Sequence, residues 1–569
     1  PASCSVNLHY KEDGMANFKF SQPVMGRRTF IGGALATGAV AALAGCGGGE
    51  NGGGGDASGK KVMNFYLSEP AFIDPYNAQE NQGTAVVFSV FDGLMEWDWD
   101  SASAVPCCAA EAPTISEDGR VYTFKLREGM KFHNGDPVDA ESFIRGWKRV
   151  ASPKMDTPSD ICYHLAPVAG YAEFNAGDTD EFSGLKAVDE LTLEVTLTDP
   201  MADFPAVCCH PGLVPVPACA DEDPKAFLEQ PIGNGPFMMT EPWKHNQYIS
   251  LARFEDYYGE KPSLDGVYMS IQKNPDTAFN EFQAGSIDFA SIPSGKIKEC
   301  IEKYGESEDG FTSTPRKQCL LGTELSTYFL IPSPQDPVLA DPKVRRAVSL
   351  AINRQNIVDT LFEGSRKPAT SIMPTSIDDS PENVWEDCKY DPEAAAKLLD
   401  EAGYPANADG KRDVEITLNY NGDGDHGDLM SAVQLDLEAV GIKVTQETVE
   451  WATYLQQLSD KNFSLGRLGW TADYPTMDNF LYPNFFTGAD NNYEEYSNPE
   501  MDAAMLAARQ IQDEEERKAA CRKICGTIGK DMPVIPIMFY AHNYIGSERM
   551  KSFNYDAQTK PHFETAELA

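Results

Sequence analysis

Val414-Glu415-Ile416-Thr417-Leu418-Asn419-Tyr420 is rich in β-branched and aromatic residues, which predicts a β-strand. Asp428 to Val440 is predicted as a helix, and Ile442 to Val449 as a second strand. A strand, helix and strand in this order form a β-α-β unit, whose two strands run parallel in one sheet. The sequence therefore predicts an α/β lobe that contains some parallel sheet.

Strands and helices alternate through most of the remaining chain. Leu191 to Leu197 alternates apolar and polar residues with a period of two, which predicts a half-buried strand. Asp341-Pro342 and Asp391-Pro392 each predict the start of a helix, because Asp can cap the first turn and Pro suits its first position.

The amino-terminal residues 1–45 have the pattern of an export signal. Arg27-Arg28 resembles the twin-arginine motif, and the apolar run from Gly32 to Ala44 is about 13 residues long. A membrane-spanning helix needs roughly 20 residues, so we interpret this run as the core of a signal peptide.

Leu43-Ala44-Gly45-Cys46 matches a bacterial lipobox, in which the cysteine carries the lipid. The Gly-rich residues that follow predict a flexible tether, so we assign residues 46–60 to the lipidated Cys46 and this tether. The sequence predicts an extracytoplasmic protein, periplasmic or on the outer face of the cell membrane, held there by a lipid anchor.

The charge and length exclude some classes of protein. The chain has 569 residues and a formal net charge of −40, which argues against nucleic-acid binding because that function needs a basic surface. About 510 residues follow the tether, which is enough for two or three domains. We expect a monomer.

The sequence contains 13 cysteines. None shows the spacing of a zinc site, and Cys521 and Cys525, one helical turn apart, have no further ligand nearby. We therefore expect buried free thiols, some disulfides remaining possible after export, and neither metal nor cofactor.

Gly466-Arg467-Leu468-Gly469-Trp470-Thr471-Ala472-Asp473-Tyr474 places a guanidinium, an indole and a carboxylate within seven residues. The carboxylate of Asp473 suits an ammonium, the guanidinium of Arg467 suits a carboxylate, and the indole of Trp470 can pack between them. A free peptide is a ligand of this kind.

An exported enzyme is the alternative of another class. The sequence has no phosphate-binding Gly-rich loop, no His-Glu-x-x-His and no Gly-x-Ser-x-Gly motif. With 8 histidines and no local catalytic constellation, we expect no enzyme, and we interpret His133 as structural.

Five stretches in order resemble the extracellular solute-binding proteins of peptide ABC importers, family 5. The resemblance runs from about Lys61 to the C-terminus, and the stretches are Glu69 to Pro75, Phe91 to Leu94, Asp118 to Gly135, Pro231 to Phe237 and Asp341 to Asp359. It implies a two-lobed periplasmic-binding-protein-like (type II) fold with an extra domain inserted in the first lobe. The implied division is residues 61–97, 189–324 and 542–569 for lobe I, 98–188 for inserted domain II, and 325–541 for lobe III.

The stretch from Arg467 to Tyr474 resembles a site segment of the oligopeptide-binding proteins. The resemblance implies that Asp473 holds the peptide α-ammonium, that Arg467 can meet the carboxylate of a short peptide, and that Trp470, Tyr474 and Tyr328 line the site. Thr471 departs from the pattern, and Leu325 to Phe329 also lacks Cys, so the disulfide that some relatives form here is not expected.

The implied function is capture of short peptides between two closing lobes and delivery to ABC permease subunits in the membrane. Relatives bind other ligands, so a nickel chelate, haem, glutathione or a signalling peptide stays open as an alternative.

Overall fold

The structure is a computed structural model that describes residues 60–569 except 79, 100, 294, 379, 423–425 and 490. The predicted export signal, Cys46 and most of the tether fall in residues 1–59 and lie outside the described residues.

A six-stranded mixed sheet contains the predicted β-α-β unit. Strands Glu415–Asn421 and Lys443–Val449 pair in parallel, from Glu415 opposite Lys443 to Asn421 opposite Val449, and helix His426–Ala439 connects them. The α/β prediction is therefore confirmed for this part of the chain. The order across the sheet is Lys367–Pro368, Ile535–Ala541, Thr323–Pro332, Leu465–Thr471, Glu415–Asn421 and Lys443–Val449.

The helices around this sheet begin largely where the sequence predicts. Asp341 and Asp391 each accept a backbone N–H of the first turn, and a Pro follows each of them. The stretch Asp341 to Asp359, which is part of the family resemblance, forms two helices. The helices of this part are Pro342–Ala351, Arg354–Leu361, Pro392–Glu401, His426–Ala439, Trp451–Ser459, Met477–Phe485, Pro499–Arg509 and Glu514–Asp531, with a 3-10 turn at Pro381–Asn383.

A seven-stranded sheet forms a second part. Its strands in order are Cys319–Leu320, Tyr544–Gly546, Phe289–Ser291, Val62–Leu67, Gly266–Ile271, Tyr248–Arg253 and Phe237–Met239. Its helices are Asn81–Val90, Cys219–Glu222, Pro224–Glu229, Pro275–Gln283 and Ile297–Tyr304. A three-stranded sheet of Thr312–Ser313, Met550–Asn554 and Glu567–Leu568 adjoins it through residues of one shared core.

A four-stranded antiparallel sheet forms a third part. Its strands in order are Thr114–Ile115, Val121–Lys125, Thr192–Thr196 and Leu185–Asp189. Helices Ala140–Ala151, Tyr171–Asn175 and Phe204–Val207 and the 3-10 turns Pro75–Asn77 and Cys162–Leu165 accompany it, and a hairpin of Met95–Asp98 with Ser103–Pro106 lies beside it.

We propose that the seven-, four- and six-stranded parts correspond to lobe I, inserted domain II and lobe III. The strand predicted at Leu191 to Leu197 is observed as Thr192–Thr196, and it pairs with Val121–Lys125 and not with the seven-stranded sheet. The proposed inserted domain therefore extends through this strand, beyond the boundary at residue 188 that the resemblance implied.

His133 links two of the stretches that carry the family resemblance. Its Nδ1 accepts the amide of Gly233 at 3.2 Å, and its Nε2 lies 3.0 Å from the carbonyl oxygen of Gly235. Burial lowers the pKa of His133 to about 4, so the ring is neutral at pH 7. Gly235 accepts no larger residue, since a Cβ there would come within 2.9 Å of the backbone of Val90.

All eleven cysteines within the described residues are free thiols. Cys521 and Cys525 are buried in helix Glu514–Asp531, and no group of side chains in the described part is arranged to hold a metal ion. None of the described helices combines the length and the apolar character needed to cross a membrane.

Candidate ligand-binding site

Strand Leu465–Thr471 lies inside the six-stranded sheet. It pairs antiparallel with Thr323–Pro332 and parallel with Glu415–Asn421. The chain leaves the sheet after Thr471, where the amide of Ala472 donates to the carbonyl of Leu325 at 2.9 Å. Asp473 follows in the loop that leads to helix Met477–Phe485, so the end of one strand fixes its position.

Asn479, in the first turn of that helix, holds the loop. Its Oδ1 accepts the amide of Asp473 at 3.0 Å and the indole N–H of Trp470 at 3.2 Å. Its Nδ2 donates to Oδ2 of Asp473 at 3.0 Å. Asn479 is 1% exposed, so a buried amide orients both the carboxylate and the indole.

The opposite side of Asp473 faces the four-stranded part. The hydroxyl of Tyr163 donates to Oδ1 of Asp473 at 2.9 Å, and Nε2 of His164 lies 3.8 Å from the same oxygen. The ring of His164 packs on that of His210, with centroids 4.2 Å apart.

The carboxylate of Asp473 has no cationic partner among the described side chains. No described lysine or arginine forms an ion pair with it, and burial lowers the pKa of His164 to about 3, so this ring is neutral at pH 7. Burial raises the pKa of Asp473, and the hydrogen bond from Asn479, the nearby ring of His210 and the hydrogen bond from Tyr163 oppose that shift. Burial also holds the pKa of His210 well below its usual value, so this ring is neutral as well. The side chain is 18% exposed, so a ligand can still reach it.

A cavity of about 600 Å³ lies between the four-stranded and six-stranded parts beside Asp473. Tyr163 and His164 belong to one wall, and Tyr474 and Tyr482 belong to the other. Tyr474 is 5% exposed and packs in the core cluster of the four-stranded part, although it lies on the loop of the six-stranded part. Tyr474 therefore joins the two walls.

Arg467 lies further back along the same strand, beside Tyr328 of the neighbouring strand Thr323–Pro332. The guanidinium of Arg467 donates through Nε to Oδ1 of Asn421 at 2.8 Å, and also through Nη2. Its Cζ lies 5.9 Å from the ring centroid of Tyr328, and both residues are buried. The structure thus places Arg467 and Tyr328 in one group, and Asp473 and Tyr474 in another, with Trp470 between them on the strand.

Three further side chains surround the Arg467 group. The ring of Tyr540 lies 6.1 Å from that of Tyr328, and the guanidinium of Arg366 lies 5.0 Å from the Tyr540 ring centroid. The hydroxyl of Tyr328 lies 3.4 Å from Nδ1 of His426. We call Arg366, His426, Arg467, Tyr328 and Tyr540 the basic aromatic group.

Ser326 and Thr471 occupy the positions where the resemblance led us to expect no disulfide. They face each other across two antiparallel strands, and their hydroxyl oxygens are 2.8 Å apart. A hydrogen bond therefore joins the two strands beside the site.

The carboxy-terminal segment supports Asp473 from a third direction. The side chain of Gln558 donates to the carbonyl of Asp473 at 3.2 Å. Asp556 accepts the amides of Gln558 and Lys560 at 2.9 and 3.0 Å, and His562 bonds Asp556 at 2.9 Å and Glu564 at 2.8 Å.

Sequence reasoning missed the side chains that arrive from elsewhere in the chain. Tyr163 and His164 lie more than 300 positions from Asp473 in the sequence, and the residues next to them in the sequence do not predict the contact. Asn479 is different, because a short polar residue in the first turn after the strand is a recognisable partner for a nearby loop backbone.

Comparison with known proteins identifies the family. Residues 104–492 match the family model described as bacterial extracellular solute-binding proteins, family 5 Middle. The oligopeptide-binding protein OppA of Bacillus subtilis is 28% identical over 544 residues, 92% of this chain and 96% of that protein. The probable deoxycholate-binding periplasmic protein YgiS of Escherichia coli is 30% identical over 482 residues, 83% of this chain and 86% of that protein.

The solved structures confirm the fold. OppA of Burkholderia pseudomallei matches with a TM-score of 0.70 at 23% identity, covering 90% of this chain and 100% of that one. The predicted type II periplasmic-binding-protein fold is therefore correct. The chain belongs to the family 5 bacterial extracellular solute-binding proteins.

Proposed function

We propose that this chain is the lipid-anchored substrate-binding component of a peptide ABC importer, which captures short peptides between two closing lobes. The observation that carries the proposal is the partly buried carboxylate of Asp473, which has hydrogen-bond donors but no lysine or arginine partner in the described chain. A buried charge without a counter-ion costs several kcal/mol, of the order measured when one partner of a buried pair is removed. A ligand ammonium supplies the missing charge.

The hydrogen bonds at Asp473 leave room for that ammonium. Tyr163 donates to Oδ1 and Asn479 to Oδ2, one side-chain donor for each oxygen. A carboxylate has about four lone-pair sites, so acceptor capacity remains for an α-ammonium. Both donors favour the ionised form, which keeps the charge available for the ligand.

The basic aromatic group supports a carboxylate at the other end of the ligand. A strand rises roughly 3.3 Å per residue, so Arg467 lies on the order of 13 Å along the strand from Thr471, two residues before Asp473. An extended chain spans at most about 3.3–3.6 Å per residue, so peptides of about four to six residues can bridge the two charged groups. Shorter peptides would leave Arg467 to its partner Asn421.

Non-peptide ligands are the competing class within the family. A bile acid such as deoxycholate, named for the relative YgiS, carries a carboxylate and no ammonium, so the carboxylate of Asp473 opposes its entry at that end. Haem and nickel chelates also offer no primary ammonium for Asp473. Glutathione and signalling peptides do offer one, and they stay within the proposal as special cases. The alternative of an exported enzyme has no support here, because the described residues of this site do not form a catalytic arrangement.

The anchor and the partners complete the proposal. We propose that the chain acts as a monomer, that Cys46 carries the lipid, and that the liganded form docks on ABC permease subunits. Replacing Cys46 by Ser should move the protein from the membrane fraction to the soluble fraction of its host. If the Ser variant stays in the membrane fraction, the lipid anchor is wrong.

The ligand class is tested by native mass spectrometry of protein purified without unfolding. We expect a mixture of retained short peptides, released by denaturation and identified by sequencing. A retained bile acid, haem or metal chelate in place of peptides would contradict the proposal. When no ligand is retained, thermal-shift screening with peptides of two to eight residues, deoxycholate and haem distinguishes a peptide ligand from a non-peptide one.

A further inference from the structure

The cavity of about 600 Å³ shares its wall with the proposed ammonium site. Tyr163 and His164, which touch or approach Asp473 from the four-stranded part, also line the cavity. In a peptide, the α-ammonium and the first side chain leave the same carbon. A peptide whose ammonium pairs with Asp473 therefore places its first side chain within reach of the cavity.

The walls of the cavity combine apolar and aromatic side chains with uncharged polar ones such as Thr198, Asn491 and Gln510. Pro200 and Met201 extend the wall that carries Tyr163, and Tyr482 and Leu506 lie on the opposite wall. Apolar surface that a ligand covers here is removed from water, which favours binding in proportion to the area covered. The volume lies within the range of small-molecule pockets, about 300–1,000 Å³, so even an indole side chain fits.

The charged groups of the cavity are already paired, except at two places. Arg509 donates to both oxygens of Asp478 at 2.8–3.0 Å, and its guanidinium lies 3.5 Å over the ring of Tyr482. His164 is neutral, as described above. The remaining charges are Asp473, which the ammonium occupies, and Asp199, which is exposed and therefore screened by solvent.

We infer that this cavity selects the first residue of the bound peptide: it favours a large apolar or aromatic side chain and disfavours an acidic one. The inference rests on the proposed function, because it takes the ammonium at Asp473 as given. An acidic first side chain would meet two carboxylates and no unpaired cation of the lining. A basic first side chain would meet Asp199, whose exposed carboxylate is screened by solvent, so we expect it to rank between the two.

Calorimetry with four tripeptides tests the inference on the intact protein. We expect Phe-Ala-Ala to bind at least about tenfold more tightly than Ala-Ala-Ala, because the phenyl group is buried in the cavity. Ala-Ala-Phe, of the same composition, should not show this gain, and Glu-Ala-Ala should bind most weakly. Equal affinities of Phe-Ala-Ala, Ala-Ala-Ala and Ala-Ala-Phe would overturn the inference.

A positive charge introduced into the cavity provides a second test of the inference. Leu506 is 42% exposed, so Leu506→Arg should fold normally, which a thermal melt checks. The variant should lose affinity for Phe-Ala-Ala and gain affinity for Glu-Ala-Ala, while Leu435→Arg, at a leucine that is 69% exposed on another helix, should change neither. An unchanged ranking in Leu506→Arg would overturn the inference.

The two proposals fail in different ways. If peptides bind but their first residue does not matter, the inference about the cavity is wrong and the proposed function stands. If no peptide binds and deoxycholate or haem does, the proposed function is wrong, and the inference falls with it.

Discussion

The hydroxyl of Tyr163 donates to the carboxylate of Asp473 at 2.9 Å, across 310 positions of sequence, and joins a 3-10 turn of the four-stranded part to a loop of the six-stranded part. The four-stranded and six-stranded parts therefore meet at the proposed ammonium site. This hydrogen bond joins the four-stranded and six-stranded parts and also stabilises the charge of Asp473. Removing it should therefore change ligand binding.

Tyr163→Phe removes this donor and keeps the ring. The ionised form of Asp473 loses a hydrogen bond, and bonds to charged groups contribute about 1.5–3 kcal/mol, so we expect peptide affinity to fall about tenfold or more. Titration calorimetry measures the change. Tyr390→Phe is the matched control, because Tyr390 is 51% exposed and lies outside the site. Equal affinities for the Tyr163 variant and the control would show that the bond plays no part in binding.

The pH dependence of binding should have two limbs. Burial raises the pKa of Asp473, and only the ionised carboxylate pairs with an ammonium, so affinity should fall by up to about tenfold per pH unit below that raised pKa. Above about pH 8 the peptide α-ammonium loses its proton and affinity should fall again. His164, with its pKa near 3, stays neutral throughout this range.

We expect the acid limb to arise from Asp473. Calorimetry from pH 4.5 to 9 with Asp473→Asn should show weak binding without the acid limb. An acid limb that persists in this variant would assign the effect to another group.

His562 should make stability depend on pH above neutrality. Its pKa is raised to about 9, although burial opposes the shift, because it bonds Asp556 and Glu564. A raised histidine pKa stabilises the fold fully below the unfolded value of 6.5, and this contribution is lost as pH rises through about 9. At 1.36 kcal/mol per unit, the contribution is on the order of 3 kcal/mol.

The wild type should become less stable between pH 6.5 and 9, and the His562→Gln variant should show little of this decrease. Thermal melts at both pH values measure the difference. His245→Gln is the control, because His245 also bonds two carboxylates, Glu69 at 2.9 Å and Glu229 at 2.8 Å, but its side chain is 49% exposed. Solvent screens such exposed pairs, so this control should change little. Parallel losses in the two variants would contradict the assignment.

The pair Ser326 and Thr471 should accept a disulfide. The residues are direct cross-strand partners with hydroxyl oxygens 2.8 Å apart, which brings their Cβ atoms close. We expect Ser326→Cys/Thr471→Cys to oxidise without loss of fold and to stabilise the protein by about 2–4 kcal/mol. Peptide mapping by mass spectrometry identifies the bridge. Ser326→Cys alone controls for the mutation, and two free thiols after oxidation would refute the geometry.

The sequence predicts the local parts of this fold well. The strands at Glu415–Asn421 and Lys443–Val449, the helix between them and the caps at Asp341 and Asp391 follow from residue patterns within a few positions. The site is harder, because Tyr163, Gln558 and Asp473 come together only through packing of distant segments. Local sequence patterns do not predict contacts between residues that are far apart in the chain. Arg467 shows the same limit, since its partner Asn421 lies on another strand.

The central claim is that Asp473 anchors the ammonium of a peptide. Calorimetry of the wild type and Asp473→Asn with Phe-Ala-Ala and its N-acetylated form tests this claim most directly. We predict that acetylation weakens wild-type binding at least about 100-fold, since a buried charge loses its partner, and that the Asn variant binds the free peptide weakly and no longer distinguishes the two forms. Unchanged affinity of the Asn variant for the free peptide, or equal wild-type affinity for both forms, would contradict the claim.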